Sequence, residues 1–383
     1  MVANREKPAT FDLVLRGGRV IDPSQGIDAV ADVAFLDGRV ARLGESLEAA
    51  AIKDVSGAIV TPGLIDLHTH VYWRGTSLGV DPIRQARGGC TTLVDAGSAG
   101  PGNYPGFLEH VIRPSPVRIL AYLNVSFAGI FGFSKRIMVG EGGDLRLMAP
   151  LDAVEVAQAN RDTIVGVKVR VGMHASRNSG AVPLDIARQV ADRVGMPMMA
   201  HIDTPPPTLE EVLARLRPGD VLTHCFRPFP NTPATAEGRV LQAVTDARRR
   251  GVLFDIGHGM GSFSFETARA MLANGFMPDC ISSDVHALCI DGPAFDLLTT
   301  MSKFLCLGTP LPDVVRAATE GPALALGRRE LGSFRPGSAG DASILSLESG
   351  AFDFVDSTGA GLRGRTRLVA RGVVINGRWW HGS

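Results

Sequence analysis

The chain has 383 residues, which is enough for one large domain with a smaller one beside it. Its 39 lysines and arginines balance 39 aspartates and glutamates, so its charge gives no electrostatic reason to expect nucleic acid or an anionic membrane as a partner. The expected partner is therefore a small-molecule substrate that is neutral or weakly charged.

The N-terminal segment MVANREKPATFD is polar and lacks the apolar stretch of a secretory signal. No later segment reaches about 18 uninterrupted apolar residues, the length of a membrane-spanning helix. We therefore expect a soluble, cytoplasmic protein. The cysteines are odd in number and lack C-x-x-C spacing, which argues against a disulfide framework and a structural zinc site; they are Cys90, Cys225, Cys280, Cys289 and Cys306.

Both ends of the chain alternate apolar and polar residues, a pattern typical of β-strands. The pattern occurs in DLVLRGGRVIDP and ADVAFLDGRVARLG near the start and in LVARGVVINGRWW near the end. Each end supplies only part of a small antiparallel sheet, so the two ends are predicted to pair with each other. The result would be a small discontinuous β-sandwich domain made of residues 1–61 and 332–383.

From Gly63 to about Ser283 the chain alternates short apolar strands with amphipathic helices, within a second predicted domain of residues 62–331. Eight strands are predicted, in LIDLH, TTLVDA, VRILAYLNV, TIVGVKV, MPMMAH, DVLTH, GVLFDIG and DCISSD. Helical patterns occur in VPLDIARQVADRV and TAEGRVLQAVTDARRR, and Thr208 with Glu211 form a capping box. Eight strand–helix repeats predict an α/β fold, a (β/α)₈ TIM-type barrel. The long segment FAGIFGFSKRIMVGEGGDLRLM is predicted to be a loop and interpreted as a lid over the substrate.

Polar residues at the ends of the predicted strands form one pattern; they are His68, His70, Lys168, His201, His224 and Asp284. Taken singly, each is more easily explained as a hydrogen-bonded strand end. Together they lie at the carboxyl ends of the strands, where barrels of this type have their active sites. Imidazole and carboxylate are natural ligands of Zn²⁺, and a lysine flanked by valines is costly to bury as a cation unless it is paired or modified. The pattern predicts a catalytic metal centre.

These residues, with the segments IVTPGLIDLHTH and ISSDVHA, resemble the binuclear, carboxylated-lysine branch of the amidohydrolase superfamily. The resemblance extends to FDLVLRGGRVIDP near the start and FRPGSAGDASIL near the end, so it covers nearly the whole chain. Within that branch the chain is most similar to members described as dihydroorotase-like or as amidohydrolase/deacetylase metallohydrolases.

The resemblance implies two divalent metal ions, with Zn²⁺ as the expected ion. It assigns His68, His70 and Asp284 to the first ion and His201 with His224 to the second, bridged by a hydroxide and by a carbamate on Lys168. Asp284 would be the catalytic group that moves the proton from the nucleophile to the leaving group. The resemblance also implies a homo-oligomer.

Several other residues are candidates for contact with the substrate. They are His258, Arg170, Tyr72, Asn124 and His286, together with Arg227, although a structural role is equally open for most of them. The glycines of DIGHGMGS lack the spacing and context of a dinucleotide-binding motif, so a tight loop is predicted there.

The predicted reaction is metal-assisted hydrolysis of a carboxylic ester or amide. Dihydroorotases typically carry an arginine two residues after the His-x-His pair and a histidine three residues after the metal aspartate. Here these positions hold Tyr72 and Ala287. We therefore favour a small acylated acid, either an acyl hydroxy acid ester or an N-acyl amino acid. A cyclic amidase of dihydroorotase type is the alternative, and a non-catalytic barrel scaffold and a mononuclear deaminase are more remote.

Overall fold

The computed structural model describes residues 11–382. In chain order its strands are β1 (Phe11–Asp22), β2 (Ile27–Leu36), β3 (Arg39–Gly44), β4 (Ala49–Asp54), β5 (Ile59–Pro62), β6 (Leu64–Thr69), β7 (Cys90–Ala96), β8 (Arg118–Asn124), β9 (Ile164–Val171), β10 (Met198–Ile202), β11 (Val221–Leu222), β12 (Leu253–Phe254), β13 (Ala342–Val355), β14 (Gly361–Ile375) and β15 (Arg378–Gly382). Its α-helices are α1 (Pro82–Arg87), α2 (Tyr104–Phe107), α3 (Pro150–Ala159), α4 (Val182–Val194), α5 (Leu209–Leu213), α6 (Gln242–Arg249), α7 (Phe265–Ala273), α8 (Leu297–Cys306), α9 (Leu311–Arg316) and α10 (Glu320–Ala325).

The centre of the molecule is a curled sheet of seven parallel strands, β6 to β12, each paired with the next in the chain. Its strands are rich in buried Val, Ile, Leu and Met, as expected for a parallel sheet that is covered on both faces. Helices alternate with these strands along the chain. The predicted α/β barrel is confirmed.

The eighth predicted strand, DCISSD, does not form a regular strand. The segment nevertheless closes the barrel, because Cys280 forms a parallel bridge with Asp255 beside β12 and Val285 forms one with Thr69 of β6. Asp284 has a φ of +46°, a left-handed conformation that is incompatible with an extended strand. The irregularity therefore falls at one of the predicted metal ligands.

A second sheet combines the two ends of the described chain in the order β15-β14-β13-β5-β1-β2-β3, with β4 paired to β1. The ends meet where β13 runs antiparallel to β5 and β5 runs parallel to β1. Its buried side chains include Leu13, Val33 and Phe35. The predicted pairing of both ends is confirmed, whereas the domain limits 1–61, 62–331 and 332–383 stay predictions.

The predicted helices differ in how closely they match the structure. Helix α4 coincides with VPLDIARQVADRV, and α5 begins at the capping box of Thr208 and Glu211. Helix α6 begins later than its pattern suggested, because the preceding residues fold into a turn in which the Thr235 amide donates to the Arg239 carbonyl.

All five cysteines are unpaired, and four of them are buried.

The segment 127–148, which we call the covering loop, contains one short 3₁₀ turn at Leu145–Leu147 and otherwise runs without helix or strand. The hydroxyl of Ser77 contacts the covering loop, at 2.5 Å from the carbonyl oxygen of Phe133 and 3.1 Å from that of Phe131. No helix within residues 11–382 has the length and apolar character needed to span a membrane.

Candidate metal centre

The six predicted metal ligands converge on one cavity. Five of them come from strands β6, β9, β10 and β11 or directly follow them, and Asp284 ends the irregular eighth segment. All six line a cavity of about 560 Å³ at the carboxyl ends of the strands. Lys168 is fully buried in β9, and His201 is the most exposed of the set. The barrel thus gathers residues that are more than two hundred positions apart in the chain.

The ligand atoms fall into two neighbouring groups. In the first, Asp284 Oδ1 lies 3.3 Å from His68 Nε2 and 3.2 Å from His70 Nε2, and Lys168 Nζ lies 3.5 Å from His68 Nε2. In the second, His201 Nδ1 lies 2.6 Å from His224 Nε2. Ligand atoms of His68, His224 and Asp284 all lie within 4.8 Å of one another, which is a spacing suited to a shared cation.

Hydrogen bonds on the far side of three imidazoles orient their free nitrogens. The Nδ1 of His224 lies 2.7 Å from the carbonyl oxygen of Gly257, which can only accept, so Nδ1 carries the proton and Nε2 is the unprotonated nitrogen that faces His201. The Nδ1 of His68 lies 2.8 Å from the Thr223 hydroxyl, which donates to Asp255, and the Nδ1 of His70 lies 2.8 Å from the Ser98 hydroxyl. Such outer contacts are typical of metal-binding histidines.

The protonation states suit metal binding. Burial lowers the pKa of His68, His201 and His224 far below the usual histidine range, and that of His70 to about 3. Neutral imidazole is the form that binds a metal ion. Burial also lowers the pKa of Lys168 to about 8, which makes the neutral amine accessible near neutral pH.

Two of the candidate ligands have a left-handed backbone. His224 has a φ of +66° and Asp284 one of +46°, both unusual for residues with a side chain. The loop that follows β12 packs tightly against them. A Cβ atom at Gly257 would lie 2.8 Å from His224 Nδ1, and one at Gly259 would lie 2.2 Å from Asp284 Oδ2. The glycines therefore permit close approach to the candidate ligands, in agreement with the predicted tight loop.

Three of the proposed substrate contacts line the cavity: Arg170, His286 and Arg227. Burial lowers the pKa of His286 to about 4, so its ring is neutral. Its Nδ1 accepts a hydrogen bond from the Leu288 amide, which places the ring proton on Nε2 and makes that atom a donor.

The other three proposed contacts do not line the cavity, which corrects the sequence prediction. The His258 ring stacks on Phe263, and its Nε2 pairs with the Lys303 amine at 2.7 Å. Tyr72 stacks on Phe107 and lines a separate cavity. The Asn124 amide donates to Gly97 and to Glu141, the latter a buried residue of the covering loop. Each side chain is satisfied by protein partners behind the site.

The sequence reasoning missed several residues of the cavity; they are Leu78, Phe133, Met138, His174, Asp203, Thr204, Met260, Gly261 and Ser262. Asp203 could have been found from its position two residues after His201, since alternate residues of a strand share a face. Its carboxylate accepts from the amides of His174 and Ala175. Phe133 and Met138 belong to the covering loop, for which no periodic signal exists.

Comparison with known proteins reveals relatives over most of the chain. A protein named deacetylase from Agrobacterium fabrum is 36% identical over 343 residues, which cover 88% of this chain and 84% of the relative. A crystal structure of a dihydroorotase is 32% identical with a TM-score of 0.88 and covers 97% of this chain and 99% of that one. A crystal structure of an adenine deaminase is 26% identical with a TM-score of 0.90 and covers 97% of this chain and all of that one.

No protein-family model matches the chain. The likeness to the deacetylase and to the two solved structures nevertheless extends over both sheets, and it confirms the predicted superfamily and class of enzyme. The protein is therefore an enzyme of the hydrolase class. With a relative more than 30% identical over most of both chains, the chain belongs to the amidohydrolase superfamily, in the family of its deacetylase-named relatives.

Proposed function

We propose that the protein is a metal-dependent hydrolase that cleaves the carboxylic ester or amide bond of a small acylated acid. The observation that carries this proposal is the convergence of four neutral histidines, a buried lysine and an aspartate on one cavity. The retention of all six candidate ligands also argues against a non-catalytic scaffold.

The donor set fits two divalent ions, with Zn²⁺ as the proposed metal. His68, His70 and Asp284 would hold one ion, and His201 with His224 the other. Lys168 lies beside His68, and its neutral amine could add to carbon dioxide with loss of a proton. The carbamate formed would supply the second anionic ligand group that the set otherwise lacks. Bound there, the ions would lower the pKa of water enough to provide a nucleophile near neutral pH.

The protein's own groups have distinct tasks in this proposal. Asp284 would take the proton of the nucleophile and pass it to the departing nitrogen or oxygen. The Nε2–H of His286 is a donor for a substrate oxygen. Phe133 and Met138 of the covering loop would exclude water from the reacting atoms.

The lining of the cavity favours an acid with an apolar part. Arg170 and Arg227 offer guanidinium groups, whereas Leu78, Phe133 and Met260 offer apolar contacts. An acetyl group is a natural acyl part, since the curated relatives are named deacetylase. Both features suit an N-acyl amino acid or an acylated hydroxy acid.

A cyclic amidase of dihydroorotase type is the second candidate, favoured by the 32% identical dihydroorotase structure. Against it, Tyr72 occupies the position of the arginine typical of dihydroorotases and packs on Phe107, away from the cavity. Losing a buried charged contact with a substrate costs several kcal/mol.

The test is a substrate panel with Zn²⁺-loaded enzyme that contains N-acetyl amino acids, acetyl esters of hydroxy acids and dihydroorotate. We expect kcat/KM for the best acyl substrate to exceed that for dihydroorotate by at least about a hundredfold. Comparable turnover of dihydroorotate would instead support the cyclic amidase.

A further inference from the structure

Arg170 lies two residues after Lys168 in β9, so the two side chains share a face of the strand. Arg170 also lines the cavity, two residues nearer the carboxyl end of the strand than Lys168, and its side chain is about 10% exposed.

The guanidinium of Arg170 is only partly used by the protein. Its Nε donates to Glu141 Oε1 at 3.0 Å, which is its one side-chain hydrogen bond within residues 11–382. The two Nη groups, with four N–H bonds, therefore have no protein acceptor in that part of the chain. They form the planar fork that binds a carboxylate through two parallel hydrogen bonds.

Arg227 is a weaker candidate for the same task, although it also lines the cavity. Its Nη1 donates to the carbonyl oxygen of Ile202, so part of its fork is already engaged. Its Nε is buried and has no partner among the described residues, so a ligand could reach Arg227 through fewer N–H groups than it could reach Arg170.

We propose that Arg170 binds the carboxylate of the acid part of the substrate and makes the enzyme selective for acylated acids over their neutral analogues. This inference rests on the proposed function and specifies its substrate class. Arg170 and the candidate metal ligand Lys168 line the same cavity, so one small substrate could contact both. The test therefore uses α-acylamino and α-acyloxy acids, which are compact acylated acids.

Glu141 is the positioning residue for Arg170. It lies in the covering loop, is almost fully buried, and accepts from Arg170 Nε and from the Asn124 amide. Phe133 of the same loop lies against the guanidinium, 5.3 Å from ring centroid to Cζ. The covering loop therefore holds Nε and one face of the guanidinium and leaves the Nη edge free.

The test compares matched anionic and neutral substrates. The pairs are N-acetylalanine with N-acetylalaninamide, in both enantiomers, and acetyl-lactate with acetyl-lactamide. The measured quantity is the ratio of kcat/KM for the acid to kcat/KM for the amide. In Arg170→Met this ratio should fall at least about a hundredfold, whereas turnover of the neutral amide should change little. Arg170→Lys keeps the charge but lacks the planar fork, so its ratio should lie between those of the wild type and Arg170→Met.

Glu141 is tested by two substitutions of different chemistry. Glu141→Leu removes the acceptor for Nε and should raise KM for the acid about tenfold while leaving kcat for the amide nearly unchanged. Glu141→Gln keeps an acceptor oxygen, so its KM for the acid should stay within about threefold of the wild-type value. The matched control is Arg146→Met, since Arg146 is an exposed arginine of the covering loop paired with Asp144. The Arg146→Met variant should leave the acid-to-amide ratio of kcat/KM unaltered.

An unchanged ratio in Arg170→Met, or an equal fall in Arg146→Met, would overturn the assignment. If Arg170→Met does not fold, the double variant Glu141→Gln/Arg170→Met removes both charges of the pair and gives the same comparison. If wild-type enzyme hydrolyses none of the pairs, the proposed function fails on this panel. Equilibrium binding of N-acetylalanine and N-acetylalaninamide by calorimetry then decides the role of Arg170 separately, because only the acid should lose affinity in Arg170→Met.

Discussion

Lys168 shows how burial changes the chemistry of a single residue. On a surface its amine would be a solvated cation, but inside β9 desolvation lowers its pKa to about 8. The neutral amine is the form that can react with carbon dioxide. The same burial would make an unmodified ammonium expensive, so carbamate formation and metal binding would stabilise each other.

Replacing Lys168 by alanine should remove metal and activity together, because the carbamate is the proposed bridge between the ions. Added acetate should restore part of both by supplying a carboxylate in the same space. Elemental analysis and hydrolysis assays would be run on the same samples. Lys53→Ala, at a partly exposed lysine beside Trp379, is the control. Full metal content and normal turnover in Lys168→Ala would rule out the bridging role.

Thr223 should affect metal affinity through His68 rather than by binding the metal itself. Its hydroxyl connects His68 Nδ1 to Asp255 Oδ2 at 2.8 and 2.7 Å. Thr223→Val keeps the shape and removes both hydrogen bonds, so metal affinity should fall about tenfold to a hundredfold. Competition with a chelating dye would measure the affinity. Thr245→Val, at an exposed residue of α6, should bind metal like the wild type.

At the scale of elements, the loop after β12 is held from behind by helix α8. Lys303 of α8 is fully buried and contacts three acceptors in three different segments: His258 Nε2 at 2.7 Å, the Pro293 carbonyl at 2.7 Å and the Val355 carbonyl at 2.9 Å. Val355 belongs to β13, so this amine joins the barrel to the terminal sheet. The position of His258 is explained by this contact rather than by a substrate.

Replacing Lys303 by methionine should lower the free energy of unfolding by about 3 kcal/mol, since three buried acceptors lose their donor. Urea denaturation followed by circular dichroism would measure the loss. Lys135→Met, at an exposed position of the covering loop, should stay within about 0.5 kcal/mol of the wild type. A Lys303→Met protein as stable as the control would show that the network contributes little.

At the scale of the whole molecule, the candidate ligands belong to strands and loops all around the barrel. Ions bound there would link segments that are distant in sequence, so metal content and global stability should be coupled. The predicted homo-oligomer remains a prediction, to be measured by sedimentation in solution.

Chelation should abolish hydrolysis and destabilise the fold. Active protein should contain up to two transition-metal ions per chain by elemental analysis. An ion present at a hundredfold over its dissociation constant stabilises the folded state by about 3 kcal/mol, so the Tm of metal-free protein should fall and recover when Zn²⁺ is added back. Full activity in metal-free protein would contradict the proposed mechanism.

The sequence by itself determined the barrel, the pairing of the two ends and the six candidate ligands. These features depend on local periodicity and on the rule that parallel strands present their carboxyl ends at one edge. Helix α4 could be located to the residue, because an amphipathic pattern runs between Pro183 near its start and Gly195 after its end.

Only the tertiary structure decided which other polar residues face the cavity. Tyr72 follows the predicted ligand His70 by two residues, and His258 follows the predicted seventh strand, yet Phe107 and Lys303 hold them elsewhere. Glu141 reaches Arg170 from a loop without periodicity. The irregular eighth strand follows from the left-handed backbone of Asp284. The direction of a side chain outside regular structure depends on partners far away in the chain, and those partners are set by packing rather than by local pattern.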